Sequence, residues 1–131
     1  MEIKNVSMKI LVCGDRNWKN IKIILKVLLK EKKSSKTKIT VVHGAAKGAD
    51  TIAGQVALKL KMNVKLYPAQ WQLYGRAAGF IRNRQMLDEN PDISKVIAFH
   101  NNISESKGTK DMLKISKKRG ITTKLYTEED I

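Results

Sequence analysis

Short apolar runs bounded by turn residues alternate along this chain with longer segments in which apolar residues recur at helical spacing. Residues 8–13, 38–43, 63–67, 95–100 and 122–126 form the runs, and their length and β-branched content predict strands. Between the first two, Ile21, Ile24, Leu25 and Leu28 fall on one face of a helix, while Lys19, Lys22, Lys26, Lys30 and Lys33 form a stripe on another. That is the pattern of a helix lying on a sheet with its basic face in water. The same period predicts helices over about 47–61, 78–88 and 109–119.

The resulting order alternates strand and helix from end to end. Runs as apolar as 39–42 and 96–99 imply strands covered on both faces, which calls for a parallel sheet between two helical layers. The expectation is therefore an α/β, Rossmann-like, doubly wound parallel sheet of about five strands with helices on both faces. Right-handed crossovers favour the strand order 3-2-1-4-5, in which the first and fourth strands meet at the switch point where such sheets bind ligands. The 131 residues are expected to form a single domain, 1–131.

Composition narrows the class. With 42% hydrophobic and 29% charged residues the balance is that of a globular chain, not a disordered one. No run approaches the ~18 apolar residues of a membrane span, and the start of the sequence lacks the pattern of a signal peptide. An intracellular, cytoplasmic protein without membrane contact is expected. Cys13 is the single cysteine, so no intrachain disulfide can form. The formal charge of +14 attracts polyanions and is compatible with weak, salt-sensitive nucleic-acid binding. Only seven aromatic residues are present, which argues against a dedicated base-stacking platform for single strands. The lysine-rich stretch 30–38 reads as a helix end and a solvated loop.

Candidate chemistry gathers in the turns after strands 1, 2 and 4. In the first, Gly14 exposes backbone and Asp15 and Arg16 precede a helix, where N–H groups and the helix dipole favour an anion; alternatively, Asp15 or Asn17 caps that helix. The second turn contains Gly44, Ala45, Lys47, Gly48 and Asp50, with small residues where a ligand or a neighbouring helix comes close. It is neither a Walker A loop nor a G-x-G-x-x-G fingerprint, since Ala49 follows Gly48. In the third, Ser106, Lys107, Gly108 and Thr109 open a helix and suit a phosphate held by backbone N–H groups and a hydroxyl, with Ser106 equally able to serve as the N-cap. Between strands 3 and 4, Arg76, Arg82 and Arg84, with Asn83, lie near the expected cleft and could clamp a phosphate. Cys13, His43 and His100 fall at strand ends, but no carboxylate or fourth ligand has the expected spacing, so no metal site and no cofactor are assigned.

Four ordered motifs carry a resemblance. Gly-Asp-Arg-Asn-Trp (14–18), Val-His-Gly-Ala-Ala-Lys-Gly-Ala-Asp-Thr-Ile-Ala (42–53), Pro-Ala-Gln-Trp followed by Gly-Arg-Ala-Ala-Gly and Arg-Asn (68–83), and Ser-Lys-Gly-Thr-Lys-Asp (106–111) together resemble the YspA group of the SLOG superfamily. These domains are Rossmann-like and similar to the Lonely Guy phosphoribohydrolases and to the DNA-uptake protein DprA. The resemblance implies binding of nucleotides, nucleotide-derived signals or single-stranded DNA. Gly108 and Thr109 match the Gly-Thr pair of the Lonely Guy phosphate loop, and Arg82 matches the Arg of their helix. The position of their catalytic Glu is occupied by Met112, with Asp111 beside it, and Glu105-Ser106 replaces their double Gly.

Three functions are weighed on these grounds. The first is binding of a nucleotide or nucleotide-derived small molecule on the helix N-termini after strands 1 and 4, steadied by Arg16, Arg82, Gly108 and Thr109. The second is an N-glycosidic hydrolase, with Arg82 on the phosphate or leaving group and Asp50 or Asp111 assisting water or stabilising a ribosyl cation. The third is DprA-like nucleic-acid binding through the positive field. A homo-oligomer stays open as an alternative to a monomer.

Overall fold

The structure is a computed structural model and describes residues 8–130. Residues 1–7 and 131 of the expected domain lie outside the described residues. Strand β1 (Met8–Gly14) leads through helix α1 (Ile21–Ser34) to β2 (Ile39–His43), then α2 (Ala49–Lys59) and β3 (Asn63–Leu66). A short α3 (Trp71–Tyr74) passes through a 3-10 turn (Gly75–Ala77) into α4 (Ala78–Glu89). The chain continues with β4 (Ile93–Phe99), α5 (Gly108–Lys118) and β5 (Thr122–Tyr126).

The five strands form one sheet in the order β3-β2-β1-β4-β5, and all neighbouring pairs are parallel. The expected order is found, for the expected reason: β2 is buried throughout and β1 and β4 carry runs of four buried residues. Alternation along these strands divides the core in two. Ile10, Val12, Ile39, Val41, Ile97 and Phe99 cluster with Ile24 and Leu28 of α1 and Ala53 and Ala57 of α2. Leu11, Cys13, Val42, Val96 and Ala98 cluster with Met86 and Leu87 of α4 and Met112 and Leu113 of α5. The edge strands β3 and β5 are largely exposed and carry Lys65 and Lys124, the charged edge that discourages pairing with another chain.

One expected cap is corrected. Helix α1 begins at Ile21, where the Asn20 side chain accepts a hydrogen bond from the Ile23 amide at 3.2 Å. Neither Asp15 nor Asn17 caps it; Asp15 Oδ1 instead accepts from the Asn17 amide at 2.9 Å and closes a turn within the loop. Helix α2 starts at Ala49, and its fully buried Ala49, Ala53 and Ala57 let it lie close to the sheet. Among the described residues no helix is long and apolar enough to cross a membrane.

Candidate functional site

At the carboxyl ends of β1 and β4 the chain leaves the sheet toward opposite faces, α1 packing on one and α5 on the other. The crevice this opens is a cavity of about 670 Å³, a size suited to a small organic ligand. It brings together Gly14, Asp15, Arg16, Asp50, Arg82, Asn83, Ser106, Lys107, Gly108 and Thr109 from the residues predicted above.

Arg82 is the hub. Nη1 donates to the carbonyls of Gly44 and Tyr67, and Nε donates to Asn83 Oδ1 at 3.1 Å. Nη2 makes no hydrogen bond among the described residues. Burial lowers the Arg82 pKa, and the charge of Asp50 acts against that shift; a guanidinium stays protonated regardless. Asn83 is buried and donates from Nδ2 to the Gly108 carbonyl and to Asp111 Oδ2, each at 3.1 Å, so α4 holds the opening of α5 in place.

The glycine-rich turn after β2 reaches the cavity lining at Ala46 and otherwise supports its neighbours. Gly44, Ala45, Lys47 and Gly48 are not part of the lining. A side chain at Gly44 would overlap the Arg82 guanidinium, and one at Gly48 would overlap the Asp15 and Arg16 backbone. Gly48 also sits at φ 76°, a conformation that only glycine adopts without cost. Asp50, 5% exposed, reaches back from the first turn of α2: its Oδ2 accepts from the amides of Gly44 (3.1 Å) and Ala46 (3.2 Å). Burial pushes its carboxyl up to about 6, against the opposing pull of those two amides and of Arg82 and Arg16.

At α5, the Ser106 hydroxyl accepts from the Thr109 and Lys110 amides at 3.0 and 3.3 Å. These are the hydrogen bonds expected of a capping hydroxyl. The amide of Gly108 carries no hydrogen bond among the described residues, and open space surrounds the position a Cβ would take there. The helix after β1 starts six loop residues beyond the strand, and the Asn20 side chain takes its Ile23 amide.

Asp111 lies outside the cavity lining and forms a bidentate pair with Arg84, at 3.0 and 3.1 Å. Met112, at the position where the Lonely Guy enzymes carry their Glu, is fully buried in the core. Cys13 and His43 point to opposite sheet faces, Cys13 among the α4 and α5 residues and His43 against Gly54 of α2. Burial, reinforced by Asp50, raises the Cys13 thiol far above its usual range, and burial with Arg82 lowers His43 to about 4. Both are neutral at physiological pH. Among the described residues no group of three His, Cys, Asp or Glu side chains is arranged to hold a metal.

Sequence reasoning missed Trp71 and Phe80, which are 48% and 40% exposed and line the cavity. The Arg16 guanidinium lies over the Trp71 ring, 5.4 Å from its centroid. The available signal was their place beside Arg76 and Arg82 in the segment between strands 3 and 4.

This fold and crevice define a Rossmann-like domain with a ligand-sized cleft at its switch point. The model of the YspA, cpYpsA-related SLOG family matches residues 8–74, and the chain belongs to that family. The chain is also 33% identical over 118 residues to the Gene 61 protein of Mycobacterium phage D29, an alignment covering 86% of this chain and 91% of that protein. No solved structure gives a significant match.

Proposed function

We propose that this protein binds a nucleotide or nucleotide-derived ligand in the cavity between β1 and β4. The observation that carries the reading is one cavity in which the free Gly108 amide opens α5 beside Lys107, Arg82 and Arg16, with the exposed rings of Trp71 and Phe80 on its wall. An amide at a helix start flanked by cations suits a phosphate, and an aromatic face suits a base. Family membership is consistent with a ligand of this kind.

Calorimetry with a nucleotide panel tests it, comparing wild type with Arg82→Ala and Gly108→Val. A charge-assisted hydrogen bond contributes roughly 1.5–3 kcal/mol, so Arg82→Ala should weaken binding about tenfold or more. Gly108→Val is a clean probe of close approach, since its side chain enters open space and leaves the fold alone. Unchanged affinity in both variants moves the site elsewhere.

One observation favours a second reading, N-glycosidic hydrolysis. Asp50 places on the cavity wall a carboxyl held near 6, within reach of general acid or base work at neutral pH. Asp111, committed to Arg84, is less available for that work. Release of free base from nucleotides by wild type, and none from Asp50→Asn, is the expected signature.

A further inference from the structure

Asp50 has one oxygen in use and one without a partner. Oδ2 takes both backbone amides, whereas Oδ1 accepts no hydrogen bond among the described residues, although the residue is 5% exposed and its exposed surface lies on the cavity. No buried side-chain oxygen lacks a partner among the described residues, so Oδ1 is reached by solvent from the cavity, and a ligand that displaces that solvent must supply a donor to it. The surroundings select the donor. Arg16, Arg76, Arg82 and Lys107 line the same cavity against two carboxylates, Asp15 and Asp50, so a ligand ammonium or a metal ion meets net repulsion. A neutral hydroxyl or amino group does not.

Position in the network narrows it further. Asp50 holds the Gly44 amide, Arg82 holds the Gly44 carbonyl, and the next residue, Asn83, holds the Gly108 carbonyl. The bare oxygen is thus tied through two consecutive residues of α4 to the start of α5, the proposed phosphate seat. The part of a nucleotide nearest its phosphate is the sugar, which leaves the exposed Trp71 and Phe80 of the lining for the base.

We infer that Asp50 Oδ1 accepts a hydrogen bond from a sugar hydroxyl of the ligand, making this residue the determinant that selects ribosyl phosphates over phosphates lacking those hydroxyls. The inference rests on the nucleotide reading above and sharpens it. Ionisation of Asp50 above about pH 6 makes the acceptor strongest at neutral pH, in a site also facing Arg82 of α4, Arg16 of the β1–α1 loop and Cys13 of β1.

Asp50→Asn tests this with little disturbance. Its side-chain oxygen can still serve the Gly44 and Ala46 amides, while its NH₂ replaces the acceptor facing the cavity. AMP, GMP, CMP and UMP, each beside its 2′,3′-dideoxy counterpart, are titrated calorimetrically into wild type and variant at pH 7.5. For whichever nucleotide binds, wild type should prefer the hydroxylated form by about tenfold or more, and Asp50→Asn should bring that ratio close to one while leaving dideoxy affinity within about threefold. Even if the variant fails to fold, a wild-type ratio near one overturns the inference. Equal affinity for both forms, or a ratio that survives Asp50→Asn, overturns the sugar-hydroxyl role and leaves nucleotide binding standing. An effect of Asp50→Asn that follows the exocyclic amine, present in AMP, GMP and CMP and absent from UMP, overturns it in favour of a base contact. Binding of none of the eight compounds by wild type overturns the nucleotide reading and this inference together.

Discussion

The guanidinium of Arg82 occupies the space that a side chain at position 44 would need, with its Nη1 on the Gly44 carbonyl. A glycine in the second turn and an arginine 38 residues later are thereby one structural unit. Gly44→Ala should push the guanidinium aside, costing about 1–3 kcal/mol through overpacking. Urea denaturation should report that loss, and nucleotide affinity should fall about as far as in Arg82→Ala, roughly tenfold. A Gly44→Ala protein that binds normally would show that Arg82 acts independently of this turn.

Asp111 separates a supporting role from a chemical one. It anchors Arg84 and Asn83 behind the cavity rather than within it. Because Arg84 is 44% exposed, water screens the pair, and Asp111→Ala should cost only about 1 kcal/mol of stability. Nucleotide affinity should change less than about threefold, since the lining is retained. If turnover is found, abolition by Asp111→Ala with binding intact would return this carboxylate to the chemistry.

His43 and Asp50 give opposite pH dependences. The folded state holds His43 near 4 against 6.5 for the free side chain, so the stability from neutral His43 is present above 6.5 and is lost as pH falls toward 4. Asp50 is held near 6 against 3.8, so the folded state takes up its proton first and gains relative stability as pH falls from 6 toward 4. Acidification over that window should shrink the stability gap between wild type and His43→Asn and widen the gap between wild type and Asp50→Asn. Urea titrations at half-unit pH steps measure both, and a gap independent of pH in either variant refutes the assignment for that residue.

The lysine stripe can be told from the cavity by salt. Lys22, Lys26 and Lys30 are exposed along α1, which packs on the opposite sheet face from α4 and α5. Fluorescence anisotropy of a labelled oligonucleotide should report weak binding that falls steeply with salt, and replacing the three lysines with Gln should flatten the log–log slope by about two to three units. The same variant should bind mononucleotides as wild type does, because fixed N–H donors, not this stripe, hold them. Nanomolar oligonucleotide binding that persists at moderate salt, with no mononucleotide bound, would favour the DprA-like reading.

The sequence by itself determined the sheet. Alternating apolar runs and helical periods are local signals, and once Val41, Val42, Val96 and Ile97 read as buried on both sides, parallel pairing and right-handed crossovers leave few strand orders to choose from. The motifs at Gly14, Asp50 and Gly108 were legible because tight turns and helix starts demand particular residues in a short span. Tertiary structure alone decided which of these reach the cavity. The Arg82–Gly44 contact, the Asn83 link to Gly108 and the diversion of Asp111 to Arg84 join residues 25 to 38 positions apart, and no local pattern encodes which donor finds which acceptor across such distances. Trp71 and Phe80 show the same limit, since an aromatic side chain reads as core until packing leaves it no room inside. Asp50 became informative only when the fold gave one of its oxygens to two buried amides and left the other facing the cavity, a division set by the packing of α2 against the turn that precedes it.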